Sequence, residues 1–349
     1  MEITGKDIKV EVVTRKLIKP CTPTPAHLRT LEISLIEEIN PSMNVFRIIY
    51  YPSQSAINGG GENVMNIYSN AWLEESLAKA LPLLYPMAGR YVKERRIVDC
   101  NDQGALYLDA RVNCTLLQFI SAADVGTEHV NHLLPLVIGE ADEPEDPMLA
   151  VQISRFRCGG LAIGICVSHR VSDASSVSTV LKVWANAATN GGLDIRPVFN
   201  SSLYFPSENV TPLPYGVTRT VDATLVTKRF VFDKDAISTL RGRMGTKWNG
   251  ERPPSRVVVV SALLTQAVLR TDRAKHDAAG DKTRSPSPIL LLGTAVNVRE
   301  RTVPPISKYA CGAWYSMSYA ESSAEETSGP SARLSGHGFE GVSGHRAWD

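Results

Sequence analysis

The chain has 349 residues, of which 43% are apolar and 21% charged, proportions typical of an ordinary globular protein with room for two domains. Lys and Arg number 37 against 36 Asp and Glu, so the formal net charge is +1. That balance excludes a binder of nucleic acid that works by bulk basic charge, and it excludes an acidic solvating tail. No run approaches the roughly 18 apolar residues of a membrane span. We therefore expect neither nucleic acid nor membrane as a partner.

The cysteines and the N-terminal residues indicate the cellular compartment in which the protein is expected. Six cysteines are scattered along the chain without a CxxC pair, a pattern typical of reduced, mostly buried thiols. The first residues carry mixed charge and lack the apolar core of a signal peptide. Both features predict a cytoplasmic protein. His129 and His132 lie three residues apart without a third ligand, which favours a solvated helix face, so no metal site is predicted.

Apolar spacing predicts most elements of the N-terminal part. A strand is expected over 45–51 and ends before Pro52. Leucines and alanines recur at helical spacing over 70–84 and predict a helix there. Two further strands, 97–100 and 105–112, follow around a tight turn.

The clearest pattern in the chain runs from residue 151 to residue 188. Apolar and polar residues alternate over 151–154, which predicts a half-exposed strand, and Cys158-Gly159-Gly160 makes a turn. Residues 161–167 form a nearly unbroken apolar run, typical of a strand buried on both faces. A helix is predicted over 173–188.

The C-terminal part is predicted with fewer signals. A strand is expected over 227–233, a helix over 256–269, a basic polar loop over 271–286 and a buried strand over 289–298. From residue 321 the chain becomes rich in Gly and Ser without helical or strand periodicity. That composition predicts a disordered or non-homologous tail over 321–349.

His169 is the strongest candidate for chemistry. It follows the buried strand and precedes a helix, which is where α/β proteins usually place catalytic groups. An imidazole with a near-neutral pKa can take a proton from a hydroxyl and return it to a leaving group. Asp173 lies four residues further on and either orients the ring or ties down the loop. The alternative is a packed histidine beside an aspartate that caps the helix.

The segment around His169 resembles the active-site motif of the plant BAHD acyl-CoA-dependent acyltransferases, and the alkaloid-acetylating branch in particular. Together the similar segments cover residues 10 to about 320. Other segments match in the family's order: Ile18-Lys19-Pro20, Thr22-Pro23-Thr24-Pro25, Tyr51-Pro52, Tyr85-Pro86-Met87-Ala88-Gly89-Arg90, Val98-Asp99-Cys100-Asn101-Asp102-Gln103-Gly104, Lys228-Arg229-Phe230-Val231-Phe232-Asp233, Ser255-Arg256-Val257 and Ala295-Val296-Asn297-Val298-Arg299.

The resemblance implies an α/β fold of two lobes with mixed sheets, like that of chloramphenicol acetyltransferase. It implies a cytoplasmic monomer that moves an acetyl-sized group from acyl-CoA, its co-substrate, to an alcohol of specialised metabolism, without a permanently bound cofactor. By analogy His169 is the general base, and Asp173 is structural and pairs with Arg299. Ser255 and Arg256, at a predicted helix start, resemble positions near the CoA phosphates, since a helix N-terminus with a guanidinium suits an anion.

The chain departs from the family pattern at two places. Ala174 replaces the usual glycine after the motif's aspartate, and we expect this methyl group to be tolerated. The second family signature, Asp-Phe-Gly-Trp-Gly, is absent. We therefore predict an N-terminal lobe over 1–195, a linker over 196–220 and an incomplete second lobe over 221–320. Besides the acyltransferase hypothesis, a truncated, non-catalytic family member remains open. A hydrolase is disfavoured because no GxSxG motif is present.

Overall fold

The computed structural model describes residues 7–40, 42–53, 69–121, 128–138, 143–189, 191–207, 230–244, 253–279 and 289–323. Contacts divide the chain into two compact units. The first unit comprises Met1–Lys228 together with the returning segment Asn297–Trp314, and the second comprises Arg229–Val296 and Tyr315–Asp349. Most of the predicted tail and part of the predicted linker lie outside the described residues.

A five-stranded mixed sheet organises the first unit. The strands are β1 (Val10–Ile18), β3 (Asn44–Tyr51), β6 (Ala105–Val112), β7 (Leu149–Phe156) and β8 (Leu161–Ser168). Their order in the sheet is β1-β6-β7-β8-β3, and β6 and β7 are parallel whereas the other three pairs are antiparallel.

A second sheet of the first unit has three strands, β2 (Thr30–Glu32), β4 (Arg90–Val92) and β5 (Ile97–Asp99). Their order in the sheet is β2-β5-β4. The strands predicted over 97–100 and 105–112 both exist, but the turn between them does not join a hairpin. β5 pairs with β2 and β4, whereas β6 pairs with β1 and β7. Strand pairing depends on distant partners, which a turn signal does not report.

The helices of the first unit are α1 (Leu35–Glu38), α2 (Asn70–Ala80), α3 (Leu116–Ser121), α4 (Glu128–Asn131), α5 (Ala174–Ala188) and α6 (Ser201–Tyr204), with 3-10 turns at Ala26–Leu28, Tyr85–Ala88 and Arg299–Arg301. α2 and α5 share the main core with one face of the five-stranded sheet. Trp184 of α5 donates its indole N–H to Ser76 of α2 at 2.9 Å.

The opposite face of the sheet is also covered, and this corrects the prediction for residues 151–154. Leu133 and Leu134 pack there against apolar residues of β6, β7 and β8. Gln152 and Ser154 are buried, and the Gln152 amide donates to the His132 carbonyl at 2.7 Å. The strand is not half-exposed, because this face is covered and the Gln152 amide donates both to the His132 carbonyl and to the Ser154 hydroxyl oxygen.

The second unit contains α7 (Lys234–Met244), α8 (Arg256–Ala279) and a two-stranded sheet of β9 (Ile289–Asn297) and β10 (Tyr315–Ser323). The predicted helix over 256–269 exists but continues to Ala279, so residues 271–279 are helical and not part of the predicted loop; the rest of that loop lies outside the described residues. Residues 230–233 have no strand structure, and 227–229 lie outside the described residues.

None of the helices within the described ranges is both long and apolar enough to cross a membrane.

Candidate active site

His169 is the first residue after β8, which ends at Ser168. Its backbone N–H donates to the Met43 carbonyl at 2.9 Å, which fixes the start of the turn to the segment before β3. The side-chain amide of Asn40 donates to the His169 carbonyl at 3.3 Å, and its nitrogen lies 3.2 Å from Nδ1 of the imidazole. Both the backbone and the ring of His169 are therefore contacted by the segment that follows α1.

Burial lowers the pKa of the His169 imidazole below its ordinary value of 6.5. Hydrogen bonds to its own backbone and to that of Ser172, together with the charge of Asp173, act in the opposite direction but are smaller. The imidazole is therefore neutral at pH 7, which is the protonation state that a general base requires.

Asp173 caps the helix that follows. It is the N-cap residue of α5, and its Oδ1 accepts from the Ser176 backbone N–H at 2.7 Å and from the Ser176 hydroxyl at 2.8 Å. The capping interpretation of this aspartate thus holds geometrically. Ala174, where the family usually has glycine, is the exposed first residue of α5, so its methyl group displaces nothing.

The structure brings Arg299 onto the same carboxylate. Its two terminal nitrogens donate to Asp173 Oδ2 and Oδ1 at 2.7 and 2.9 Å, and both side chains are buried. Nε donates to the Ala310 carbonyl at 2.8 Å, and a terminal nitrogen also reaches Oδ1 of Asn297 at 3.1 Å. The guanidinium charge and its donors are satisfied, so the pair is a rigid connection between α5 and the returning segment.

Gly312 lies at the centre of that segment. Its N–H donates to Ser176 Oγ and its carbonyl accepts from Arg299, at 3.2 and 3.4 Å. Its φ of +127° favours glycine. A Cβ at this position would be 2.5 Å from Oε1 of Glu37, so the glycine also allows a close approach to that carboxyl.

Ser255 and Arg256 belong to the second unit. Ser255 precedes α8, and its hydroxyl accepts from the Val258 N–H at 3.2 Å, as a helix N-cap does. Both residues are exposed. Their predicted helix start is present, and their role toward CoA stays a prediction.

Several residues around His169 and Asp173 are not predicted by any pattern in the sequence. Asn40, Ser176 and Gly312 carry no motif that spacing would reveal, because each acts through a contact between distant segments, and so does Glu37 toward Gly312. The Ser-x-x-Glu pattern of Ser34 and Glu37 is a capping-box signal, and the structure contains that box. It would have identified the helix but not the contact with Gly312.

The site contains the neutral imidazole of His169 and the carboxylate of Asp173, which binds Arg299 and Ser176. Because Asp173 is occupied by Arg299 and Ser176, a hydrolytic triad with Asp173 as the partner of the imidazole is disfavoured. Such a site suits transfer of a proton between two substrates.

The chain is similar to several known transferases. A family model described as the Transferase family matches residues 8–333. Vinorine synthase of Rauvolfia serpentina is 34% identical over 321 residues, covering 91% of this chain and 72% of that protein. Stemmadenine O-acetyltransferase of Catharanthus roseus is 32% identical, with coverage of 89% and 71%. Salutaridinol 7-O-acetyltransferase of Papaver somniferum is also 32% identical, with coverage of 87% and 65%.

Solved structures show the same fold. The crystal structure of vinorine synthase matches with a TM-score of 0.76 and 31% identity, over 96% of this chain and 78% of that one. The TRI101 protein of F. graminearum matches with a TM-score of 0.61 at 16% identity, over 87% and 72% of the two chains, a likeness of fold alone. The predicted two-lobed CoA-dependent acyltransferase class is thereby confirmed.

Proposed function

The chain belongs to the Transferase family of acyl-CoA-dependent O-acyltransferases, called BAHD, and we propose that it moves an acetyl or similarly small acyl group from acyl-CoA to a hydroxyl of a specialised metabolite, specifically an alkaloid. The size of the acyl group is supported by relatives that are named as O-acetyltransferases. The alkaloid class is supported by the same relatives. Acyl-CoA as the acyl donor is supported by the family to which the chain belongs.

The observation that carries the proposal is the state of His169. The imidazole follows a fully buried strand, burial lowers its pKa, and Asp173 is committed to Arg299. A neutral imidazole in this setting takes the proton of the acceptor hydroxyl as the oxygen attacks the thioester carbonyl carbon. When the C–S bond breaks, the imidazolium returns that proton to the thiolate. The products are an ester and free CoA thiol, the histidine is regenerated, and no covalent enzyme intermediate forms.

The other predicted site residues take supporting roles in this proposal. Asp173 and Arg299 hold the turn that carries His169, so they act on the reaction through its placement. Ser255 and Arg256 bind the phosphates of CoA, because a helix start with an adjacent guanidinium is a suitable anion site. Both residues are exposed, as contact with a phosphate requires.

We further propose a cytoplasmic monomer whose partners are acyl-CoA and the acceptor alcohol, without nucleic acid or membrane. The net charge of +1 and the six unpaired cysteines, mostly buried, support this assignment. The lobes proposed at 1–195 and 221–320, joined by a linker over 196–220, correspond to the two halves of the family's fold. Contacts assign Asn297–Trp314 to the first unit, although this segment lies within the sequence range of the proposed second lobe.

The test is release of free thiol by the full chain with acetyl-CoA and a panel of alkaloid and terpenoid alcohols. We expect release that depends on the alcohol and falls at least 100-fold in His169→Ala. His132→Ala is the matched control, because that side chain is exposed. No release above the His169→Ala level by a folded chain would refute the proposal. Saturable CoA binding without turnover would then favour the non-catalytic family member.

A further inference from the structure

Glu37 is a buried carboxyl that the proposed mechanism does not use. It lies on α1, is 5% exposed, and forms no ion pair with any of the residues that the structure describes. Its Oε2 accepts from the backbone N–H and the hydroxyl of Ser34, at 2.9 and 2.8 Å. Its Oε1 accepts from the hydroxyl of Ser201 on α6 at 2.8 Å. These contacts join α1 to α6, and a third segment of the first unit lies against the same carboxyl.

The third segment is the one that holds the Asp173–Arg299 pair. Oε1 of Glu37 occupies the space beside Gly312 where a side chain would begin. On its other side, Gly312 contacts Ser176 and Arg299 through its N–H and carbonyl. Gly312 and Ser176 therefore connect Glu37 to the carboxylate of Asp173 through successive contacts.

A second connection runs through α1 itself. Asn40 follows Glu37 by three residues, and its amide donates to the His169 carbonyl at 3.3 Å and lies 3.2 Å from Nδ1. The anchor of α1 and the contact with the imidazole are thus less than one helical turn apart. Any displacement of Glu37 moves the residue that touches the ring.

We propose that Glu37 is a positioning residue for the transfer reaction, which ties α1 to Ser201 and Gly312 and thereby holds both Asn40 and the Asp173–Arg299 pair where they place His169. The role rests on the proposed function of His169 as general base. Glu37 itself touches no reacting group of that mechanism. Its effect is exerted through the geometry of the turn.

The protonation of Glu37 matters for this role. Burial raises the pKa of its carboxyl to about 7, and the hydrogen bonds from Ser34 and Ser201 only partly offset that rise. The ionised carboxylate accepts from all of its donors, whereas the protonated form must turn one oxygen into a donor. Among the described residues, the Cys311 thiol interacts with the charge of Glu37, and Asp173 and Arg299 lie beyond Gly312 and Ser176. Burial raises the pKa of the Cys311 thiol to about 12, so that thiol is neutral near pH 7.

The first experiment observes His169 without any substrate. The imidazole Cε1–H signals of the full chain are recorded by NMR against pH, and His169 is assigned from the signal that His169→Ala lacks. We expect Glu37→Gln to shift this signal and its titration midpoint. Glu38→Gln should leave both unchanged, since Glu38 pairs with Arg96 and not with Gly312. Equal signals in wild type and Glu37→Gln, or equal shifts in both variants, would overturn the proposal.

The second experiment is kinetic. We expect Glu37→Gln to lower kcat about tenfold with less than a twofold change in KM for acyl-CoA, and Glu37→Asp to recover part of the loss. The acid side of the wild-type pH profile should contain two protonations, and that of Glu37→Gln only one. An unchanged kcat and profile would contradict the positioning role.

Two further outcomes are distinguishable. If Glu37→Gln does not fold by circular dichroism, Ser201→Ala is measured in its place, and an unshifted His169 signal in that variant refutes the proposal. If the wild-type chain transfers no acyl group, the proposed function fails, and the NMR comparison alone decides whether Glu37 positions His169.

Discussion

Arg299 binds both carboxylate oxygens of Asp173 with its two terminal nitrogens, at 2.7 and 2.9 Å, although 126 residues separate the two in the sequence. Asp173 is 6% exposed and Arg299 is fully buried. In such a site the two charges are removed from water together, and each depends on the other for compensation.

We expect Arg299→Ala to lower the free energy of unfolding by about 3–5 kcal/mol, because it leaves the Asp173 carboxylate buried without a cation. Thiol release should fall as well, since the turn carrying His169 loses its anchor. Urea denaturation and the transfer assay measure the two effects. Arg196→Ala is the matched control: Arg196 pairs with Asp194 at 2.7 Å but is 82% exposed, so less than about 1 kcal/mol is expected. Equal losses in both variants would contradict the assignment.

Gly312→Ala should destabilise the chain by about 2–4 kcal/mol, through the cost of positive φ and the collision with Glu37 Oε1. Gly192→Ala separates the two causes. Gly192 has a φ of +128°, and an added Cβ there meets no atom within 4 Å. It should therefore show the backbone cost alone, about 1 kcal/mol. Urea and thermal unfolding of both variants measure the loss of unfolding free energy. An equal loss at Gly312 and Gly192 would argue against the close contact with Glu37.

The stability of the chain should depend on pH through Glu37. Its pKa is raised from 4.5 to about 7, so the folded protein binds this proton more tightly than the unfolded chain does. The stabilising contribution is complete below about pH 4.5 and is lost as the pH rises through 7, by up to about 3 kcal/mol. Glu37→Gln removes that loss. The free energy of unfolding is measured in urea at pH 5 and at pH 8 for both proteins. From pH 5 to pH 8, the stability of Glu37→Gln relative to wild type should rise by about 2–3 kcal/mol. A difference that stays constant with pH would disprove the raised pKa.

Gly164, in the middle of β8, permits another close approach. A Cβ there would overlap the carbonyl oxygen of Leu133, in the segment that covers the sheet. Gly164→Ala should therefore cost about 3 kcal/mol of stability and reduce activity, because β8 leads directly into His169. Ala162→Gly, two residues earlier on the same face, should cost about 1 kcal/mol. Guanidinium denaturation measures the unfolding free energy of both variants. A Gly164→Ala protein as stable as wild type would contradict the predicted clash with the Leu133 carbonyl.

Local patterns were sufficient for much of the fold. The apolar run of β8, the helical spacing of α2 and the start of α5 after Asp173 depend on neighbours within a few residues, and the structure contains all three. The alternation in β7 does not indicate exposure, because Gln152 and Ser154 are buried and Gln152 donates to the His132 carbonyl. Burial of the second face depends on residues near Leu133, which no pattern within β7 records.

Some residues of the candidate site were predicted from the sequence, and others were found only in the structure. The position of His169 at the end of a buried strand followed from the residues themselves, and its partner Arg299 followed only from the family resemblance. Glu37, Ser201 and Gly312 meet through contacts between segments more than 100 residues apart. Nothing in the composition of those segments distinguishes them from other polar or glycine positions.

The amino-acid sequence by itself thus determined many of the strands and helices and placed a histidine directly after a buried strand, because backbone preference and apolar periodicity act over short distances. Only the tertiary structure decided that Asp173 is held by Arg299, that a buried glutamate lies against Gly312, and that Asn40 touches the imidazole. Ion pairing, close packing and burial depend on distance in space, and the fold alone sets those distances.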